Sequence, residues 1–470
     1  MKKVILLLVV LALVVPATAM AAAEFSLGGF IKLDTIWDSS VVNKNLVSKI
    51  YRNNGITENN VTTGQHGRLR MIATGSRFNF TIKGPKLWGA QVTGFMEADF
   101  DTAGAATPPG ADSADTGAFR LRHAMFRLTW PETELLFGQY WSFFSEFFQE
   151  TAADGGGQYR GNSVYRPAQI RITQKFLGVY TAGFMVGTNR LVAGGTNVAL
   201  GNAGPGNNEG SETPHIEAKF AYEQDLYGKA AYWGVPRGLV AQVVAGWQRT
   251  YYTNNRFAVT HTFGQDDFDN FNTGVFRQFT NRSAPSQMLN HWSVQGTLFV
   301  PVITTSSANL AGTASLLTQW AVGQGQGFVL GTWLTDDMYL HFNGTNWTRQ
   351  LTPNFHGFVQ AQYYFTNEWF LNVYWGYTRN FGVNLEREFP GGPFSNASVP
   401  AFYSSSNDYT KYSNQIAATL WFRPIQAIKF GLSYAFTKDV YMQSASTVNG
   451  STPTRNGEDH RVEFCGFFYF

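Results

Sequence analysis

Acidic side chains recur every four residues in a segment that is otherwise rich in phenylalanine and glycine. The segment spans positions 142–166, SFFSEFFQETAADGGGQYRGNSVYR, and its acids are Glu146, Glu150 and Asp154. Fixed carboxylates act electrostatically on ions and dipolar solutes that pass them. A loop exposed only to water does not need four phenylalanines, so we expect an inward fold against a wall. The alternative is an outer loop packed on a neighbouring subunit. The four rings belong to Phe143, Phe144, Phe147 and Phe148.

Groups for covalent or metal chemistry are sparse. His291 and Ser293 share one parity of a predicted strand, but nothing around them resembles a nucleophile motif. Cys465 is the only cysteine, which excludes an intramolecular disulfide and a cysteine-based metal cluster, and we expect a packed thiol there. The formal charge of +3 falls to +1 without Lys2 and Lys3, which predicts no nucleic-acid partner. We therefore expect neither an enzyme nor a bound cofactor or metal.

The C-terminal residues indicate the kind of wall that positions the charged segment. One parity is apolar and the other is charged at Arg461 and Glu463, while the apolar positions are Val462, Phe464, Gly466, Phe468 and Phe470. Such alternation is typical of a strand between lipid and an aqueous lumen. A closing strand with a terminal phenylalanine resembles the end of bacterial outer-membrane β-barrels. The resemblance implies that Phe468 and Phe470 form an assembly signal for the barrel-assembly machinery.

The N-terminal residues 1–21 have the pattern of a secretory signal peptide. Lys2 and Lys3 precede an apolar stretch, Ile5–Val15, and Pro16 and several small residues follow it. The alternative, a transmembrane anchor, requires about 20 apolar residues. We expect residues 22–470 to form one domain.

Period-two alternation then runs through the chain. We predict sixteen strands, near positions 25–38, 68–83, 90–100, 117–130, 133–141, 167–176, 179–188, 214–223, 237–250, 286–299, 308–322, 352–366, 369–381, 412–423, 426–438 and 458–470. Long spacers alternate strictly with short turns, such as Gly84-Pro85-Lys86, and the turn at 224–236 is the longest of these. This pattern predicts an all-β, transmembrane, antiparallel up-and-down barrel of the outer membrane with long external loops, short periplasmic turns and periplasmic termini. Eighteen strands are possible if 328–333 and 338–342 add a hairpin.

Four consecutive strands resemble the N-terminal third of the Gram-negative trimeric porins. They contain SRFNFTIKGP, GFMEADF, RLRHAMFRL and LLFGQYW, and the first strand, GGFIKLDTIWDS, is most similar to the DcaP-like porin subgroup. The chain lacks the N-terminal coiled coil common in that subgroup and the P-E-F-G-G motif of the classical porin constriction loop. The resemblance implies that the loop after the fifth strand narrows the pore and faces a basic wall. By position, that wall comprises Arg70, Arg77, Arg120, Arg122, Arg127, Arg166 and Arg171.

The fourth strand fits this wall only with an irregularity. Arg120 and Arg122 share one parity, whereas His123 and Arg127 share the other, so we predict a bulge near His123. Arg127 beside the periplasmic rim has an alternative role, which is to reach lipid headgroups.

The resemblance implies a homotrimer in lipid and lipopolysaccharide that lets small hydrophilic solutes and ions diffuse passively. Two alternatives remain at this point: a substrate-specific channel for small organic anions such as carboxylates, and a non-conducting structural or adhesive barrel.

Overall fold

The computed structural model of the chain is a closed antiparallel barrel of sixteen strands, which confirms the predicted fold class. The structure describes residues 23–40, 57–58, 61–62, 67–100, 119–152, 160–189, 213–252, 255–257, 282–284, 287–330, 338–342, 347–381, 410–441 and 456–470. The predicted signal peptide lies outside these residues. Within them, no helix is long and apolar enough to cross a membrane.

The barrel strands follow the predicted order with small changes at their ends. They are β1 Glu24–Asp38, β2 in two pieces, Arg68–Ile72 and Arg77–Leu87, β3 Ala90–Asp99, β4 Arg120–Thr129, β5 Thr133–Gln139, β6 Ala168–Phe176, β7 Tyr180–Gly187, β8 His215–Gln224, β9 Leu239–Tyr252, β10 Gln287–Ile303, β11 Ala314–Gln324, β12 Pro353–Tyr364, β13 Trp369–Asn380, β14 Thr410–Ile425, β15 Ile428–Tyr441 and β16 Asn456–Tyr469.

Short elements lie outside this sheet. One 3₁₀ turn, Phe143–Ser145, follows β5, and one helical turn, α1 (Gly327–Leu330), follows β11. Within the described residues, four two-stranded sheets pair Thr57–Glu58 with Val61–Thr62, Ala230–Tyr232 with Val235–Arg237, Asn255–Phe257 with Arg282–Ala284, and Met338–Phe342 with Trp347–Leu351. The strands Met338–Phe342 and Trp347–Leu351 pair with each other and do not join the barrel sheet, so the barrel has sixteen strands and not eighteen.

Alternation along each strand separates a polar lumen from an apolar exterior. On β10 the side chains of His291, Ser293 and Gln295 are buried inside, whereas Trp292 and Val294 lie on the outer surface. On β16, Phe464, Phe468 and Phe470 lie outside and Glu463 and Cys465 inside, as predicted. Because no water reaches the hydrocarbon core, outward side chains are apolar and every backbone group is paired within the closed sheet.

The barrel closes between β1 and β16. On one edge, residues Glu24–Phe30 of β1 pair with the second piece of β2 and Asp34–Asp38 pair with its first piece, and on the other edge β1 pairs with β16 from Phe30 onward. Gly29 donates to and accepts from the backbone of Phe470 at 3.1 and 3.2 Å. Gly29 has φ +151°, and a side chain there would collide with the carbonyl oxygen of Arg77 and approach the Cα atom of Phe78 to 2.8 Å. Glycine therefore permits three strands to meet at the seam.

Two details concern the register of neighbouring strands. The turn between β2 and β3 lies at Trp88–Gly89 and not at Gly84–Lys86, because β2 continues to Leu87 with a register shift. The predicted bulge in β4 is confirmed: His123 faces Glu97 and Leu121 faces Ala98, which leaves Arg122 as the extra residue.

The connection between β8 and β9 is a hairpin rather than a plain turn. Its two short strands, Ala230–Tyr232 and Val235–Arg237, pair across a two-residue tip and fold into the lumen from the end that carries the short turns.

We expect Gly29→Ala to weaken closure of the barrel. The added methyl group meets backbone rather than a mobile side chain, so the free energy of unfolding should fall by about 2 kcal/mol. The measurement is urea unfolding of the refolded barrel, followed by its heat-modifiable migration. Gly296→Ala on β10 is the matched control, because nothing lies within 4 Å of its added atom. Equal stability of the two variants would contradict this account of the seam.

Candidate functional site

The segment after β5 folds into the lumen, as the sequence predicted. The backbone N–H of Phe143 donates to the Glu217 carboxylate on β8 at 2.8 Å, and Gln295 of β10 donates to the carbonyl of Phe144 at 3.0 Å. The rings of Phe143, Phe144 and Phe147 are buried. The described residues of 140–152 and 160–167 are named the constriction loop below.

The loop continues along the inner wall. The side-chain amide of Gln362 donates to the Glu150 carboxylate at 2.8 Å, and the Trp421 indole donates to the backbone carbonyl of Glu150 at 3.3 Å. Farther on, the fully buried Arg160 pairs with Asp439 of β15 at 2.8 Å. Gly161, at φ +80°, packs so close to the backbone of β12 that a side chain would collide with it. The constriction loop thus covers the wall from β8 to β15 and leaves the opposite wall open to the lumen.

A cavity of about 730 Å³ remains between the constriction loop and the uncovered wall. The uncovered wall contributes Arg77, Arg122, Arg127 and Arg171, together with Glu134. Trp141, Glu146, Phe148 and Glu150 line it from the loop side. The cavity is therefore polar, charged and rimmed by aromatic rings.

Arg120 and Arg122 of β4 are held by carboxylates of β3. Arg120 donates twice to Asp99, at 2.8 and 2.7 Å, and Arg122 donates to Glu97 at 2.6 Å and to Asp99 at 2.7 Å. The bulge in β4 allows Arg122 and Arg127, which have opposite parities, to face the lumen together. Charge-assisted bonds of this length fix the guanidinium groups in position.

Arg127 and Arg171 share one carboxylate. Arg127 and Arg171 both approach Glu134 of β5, at 3.4 and 3.3 Å, and Arg77 lies 3.7 Å from Glu97. Arg127 faces the cavity and not the lipid headgroups, which settles its orientation in favour of the lumen.

Arg166 at the end of the constriction loop adds a further positive charge. Its guanidinium lies 4.8 Å from the ring centre of Trp141, and it has no ion pair within the described part of the chain. Burial, followed by repulsion from Arg122 and Arg120, lowers the pKa of Arg166 to about 9.

Arg70 does not join this cluster. It donates to Asp38 at 2.5 Å, and Asp38 also accepts from Arg461 at 2.7 Å, in a network at the outer ends of β1, β2 and β16. Arg70 is buried there and does not line the cavity, so any role in selection stays a prediction.

The loop acids have partners that the sequence argument did not identify. Glu146 accepts from Lys219 of β8 at 2.8 Å, and Glu150 pairs with Lys429 of β15. Asp154 lies outside the described residues. Period-two parity predicts that a lysine points inward, but it gives neither the depth nor the side of the barrel, so these pairs could not be read from the sequence.

The lining carries a surplus of positive charge. Seven cationic side chains face three carboxylates, which leaves four net positive charges: the cations are Arg77, Arg122, Arg127, Arg171, Lys219, Arg423 and Lys429, and the carboxylates are Glu134, Glu146 and Glu150. Four groups that contact the lining from behind, Glu97, Asp99, Arg120 and Arg166, are two of each sign and cancel among themselves. Fields between such walls are focused in a narrow, low-dielectric passage.

The residues considered for catalysis are engaged elsewhere. His291 contacts the carbonyl of Gly325 at 2.9 Å, and Ser293 donates to Gln326 at 2.6 Å. Neither contacts the other as a nucleophile and base would. In the part of the chain that the structure describes, no group of His, Cys, Asp or Glu is arranged to hold a metal ion.

A closed sixteen-stranded barrel with an apolar exterior, a polar lumen and an inward loop after β5 defines the outer-membrane porin class of fold. No protein-family model matches the chain, and no curated protein matches it. Among solved structures, the outer membrane channel DcaP of Acinetobacter baumannii is similar over 96% of this chain and 99% of its own, with a TM-score of 0.60 and 14% identity. Pseudomonas putida OprB is similar over 95% and 94%, with a TM-score of 0.50 and 8% identity. These likenesses confirm the porin fold and the predicted similarity to DcaP.

We expect Arg160→Met to release the far end of the constriction loop. The change leaves Asp439 buried without its cation, and removal of one partner of a buried ion pair costs about 3–5 kcal/mol. Limited proteolysis of the folded barrel should then cut faster between β5 and β6.

Adding Asp439→Asn to this variant is the control, because it removes the uncompensated charge. Cleavage of the double variant should be slower than that of Arg160→Met alone. Equal cleavage of wild type and single variant would contradict the anchoring role of this pair.

Proposed function

We propose that the protein is an outer-membrane porin through which small hydrophilic solutes and ions diffuse passively, with a preference for anions. The observation that carries the proposal is the narrowed lumen with its surplus of four positive charges. An open barrel of this size holds water, and charged rings at its narrowest part set the ion preference.

The loop acids oppose this preference only weakly. Lys219 and Lys429 neutralise Glu146 and Glu150 from the wall behind the loop. The positive charges of the uncovered wall therefore face a loop whose net charge is close to zero. The field across the pore is weaker than one between free arginines and free acids, but its sign still favours anions.

A second candidate is a channel specific for small organic anions such as carboxylates. The observation that favours it is that the uncovered wall presents four arginines, Arg77, Arg122, Arg127 and Arg171, and its lining contains no lysine within the described residues. Planar guanidinium groups match the geometry of a carboxylate, whereas an ammonium group acts as a point charge. A carboxylate that saturates the current at low concentration would favour this candidate over a general pore.

The assembly we propose is a homotrimer in the lipid and lipopolysaccharide of the outer membrane, reached through the signal peptide and the barrel-assembly machinery. Following the resemblance to the trimeric porins, we place the interface on the outer faces of β1 and β2, where Phe25, Leu27, Ile31, Leu69 and Met71 are exposed. Stepwise channel openings in threes, together with the mass of the detergent-extracted complex, test it.

The first experiment is single-channel recording in a planar bilayer across a gradient of KCl. Anions that leave the concentrated side make it positive, so we expect a positive zero-current potential on that side. Arg127→Gln together with Arg171→Gln lowers the surplus from four charges to two, and should reduce this potential and the anion preference by about half.

Lys438→Gln is the matched control, because Lys438 pairs with Glu458 on the outer face of β15 and does not line the cavity. A potential of opposite sign would contradict anion preference. A folded, heat-modifiable barrel that never conducts would contradict the porin function and leave the structural or adhesive barrel.

A further inference from the structure

The connection between β8 and β9 is longer than a periplasmic turn requires. Fourteen residues, 225–238, separate Gln224 from Leu239, although these two residues are themselves paired. A two-residue turn joins such a pair in an ordinary hairpin. The extra chain forms the hairpin of Ala230–Tyr232 and Val235–Arg237, named the periplasmic hairpin below.

The periplasmic hairpin is built into the lumen and does not extend into the periplasm. Ala230 and Ala231 are fully buried, and Ser315 of β11 donates to the carbonyl of Ala231 at 2.9 Å. At the base of the hairpin, Lys229 exchanges two backbone hydrogen bonds, of 2.9 and 2.8 Å, with Thr305 in the turn between β10 and β11. These contacts hold the hairpin against the inner wall on the side of β10 and β11.

Its tip meets the constriction loop. The N–H of Phe148 donates to the Tyr232 hydroxyl at 3.1 Å, and the Trp233 indole donates to the carbonyl of Phe148 at 3.1 Å. The Tyr232 ring packs on Phe147 and on Phe299 of β10, with ring centres 5.7 and 5.8 Å apart. Two segments that enter from opposite ends of the barrel therefore meet at one aromatic contact.

The tip itself places a tryptophan where a small residue is usual. Trp233 and Gly234 have φ values of +51° and +77°, the geometry of a two-residue hairpin turn that favours asparagine or glycine. A bulky side chain at positive φ is uncommon and strained. Trp233 nevertheless lines the cavity with 37% of its surface exposed.

A second tryptophan provides an internal comparison. Trp88 and Gly89 form the turn between β2 and β3 with nearly the same φ values, +52° and +82°. Trp88 is 76% exposed at the end of the barrel and does not line the cavity. The same dipeptide therefore makes an ordinary rim turn at one position and the tip of an inserted element at the other.

We propose that the periplasmic hairpin is a second constriction element, and that Trp233 limits the size of the solutes that pass. The constriction loop narrows the lumen from the external side and the hairpin from the periplasmic side. Joined at Phe148, they leave the cavity along the arginine wall as the route. This inference rests on the proposed function, because it requires that the lumen conducts.

The test compares three variants with the wild type. In the first, Asn-Gly replaces residues 225–238 and joins the paired Gln224 and Leu239 directly. The second is Trp233→Ala, and the third, Trp88→Ala, is the matched control. Each refolded barrel is selected by heat-modifiable migration. Conductance is then measured in KCl, and the size limit is measured by swelling of liposomes in neutral sugars and polyethylene glycols.

We expect the replacement to raise the conductance about twofold or more and to admit larger sugars, because the pore widens where the hairpin was. Trp233→Ala should produce a smaller increase in the same direction, and Trp88→Ala none. The second variant keeps the hairpin, so it remains informative if the replacement fails to fold.

Wild-type conductance and size limit in both the replacement and Trp233→Ala would overturn the proposal, as would an equal effect of Trp88→Ala. A wild-type barrel that does not conduct would contradict the proposed porin function but not, by itself, the role of the hairpin. In that case, conduction by the replacement would support the hairpin as the closing element, and a silent replacement would overturn it.

Discussion

A sheet that crosses a bilayer has no water to satisfy the backbone groups of its edge strands, so its edges must be joined. In this protein the joint lies between β1 and β16, where Gly29 and Phe470 exchange two backbone hydrogen bonds. Once the sheet is closed, alternation sends every second side chain into one enclosed space. Sixteen strands make that space too wide to be filled by wall side chains alone. The chain therefore has to fill part of the lumen with segments that are not strands.

Filling the lumen determines how its charges are placed. A carboxylate taken into the barrel with the constriction loop loses much of its hydration, and only a close cation compensates for that loss. Lys219 and Lys429 on the covered wall provide it for Glu146 and Glu150. The acids that the sequence places opposite the arginines are thus neutralised locally. Among the described residues, three carboxylates, Glu97, Asp99 and Glu134, contact the four arginines of the uncovered wall, which leaves them one charge short of cancelling the arginines. Net positive charge in the cavity follows from this division between covered and uncovered wall.

The sequence predicted what depends on local periodicity. Sixteen strands and the outward phenylalanines of β16 follow from parity and spacing, and the inward loop follows from its four phenylalanines. The bulge at Arg122 and His123 follows from parity together with the basic wall that the porin resemblance implies. The sequence could not predict which inward side chains meet across the lumen, because parity carries no information on depth or azimuth. Lys219 and Lys429 were missed for that reason, and Arg70 has the expected parity but lies in another network. The turn at Trp88–Gly89 was missed because Gly84 and Pro85 are stronger turn formers, although β2 accommodates them at a register shift.

The periplasmic hairpin shows that the residues of a turn do not determine where the turn lies in the barrel. Trp-Gly at 88–89 and Trp-Gly at 233–234 adopt the same turn, so the dipeptide does not decide the location of the tip. The difference lies in the length of chain between the paired strand ends, which is two residues after β2 and fourteen after β8. An extended connection at the periplasmic end either projects into the periplasm, where Ala230, Ala231 and Tyr232 have no partners, or folds back into the lumen that the strand count leaves open. Its apolar residues pack on Phe147 and Phe299, so the inward position buries surface that the outward one exposes. The width of the barrel thus creates the room for the hairpin, and burial of its apolar side chains determines that the hairpin occupies it.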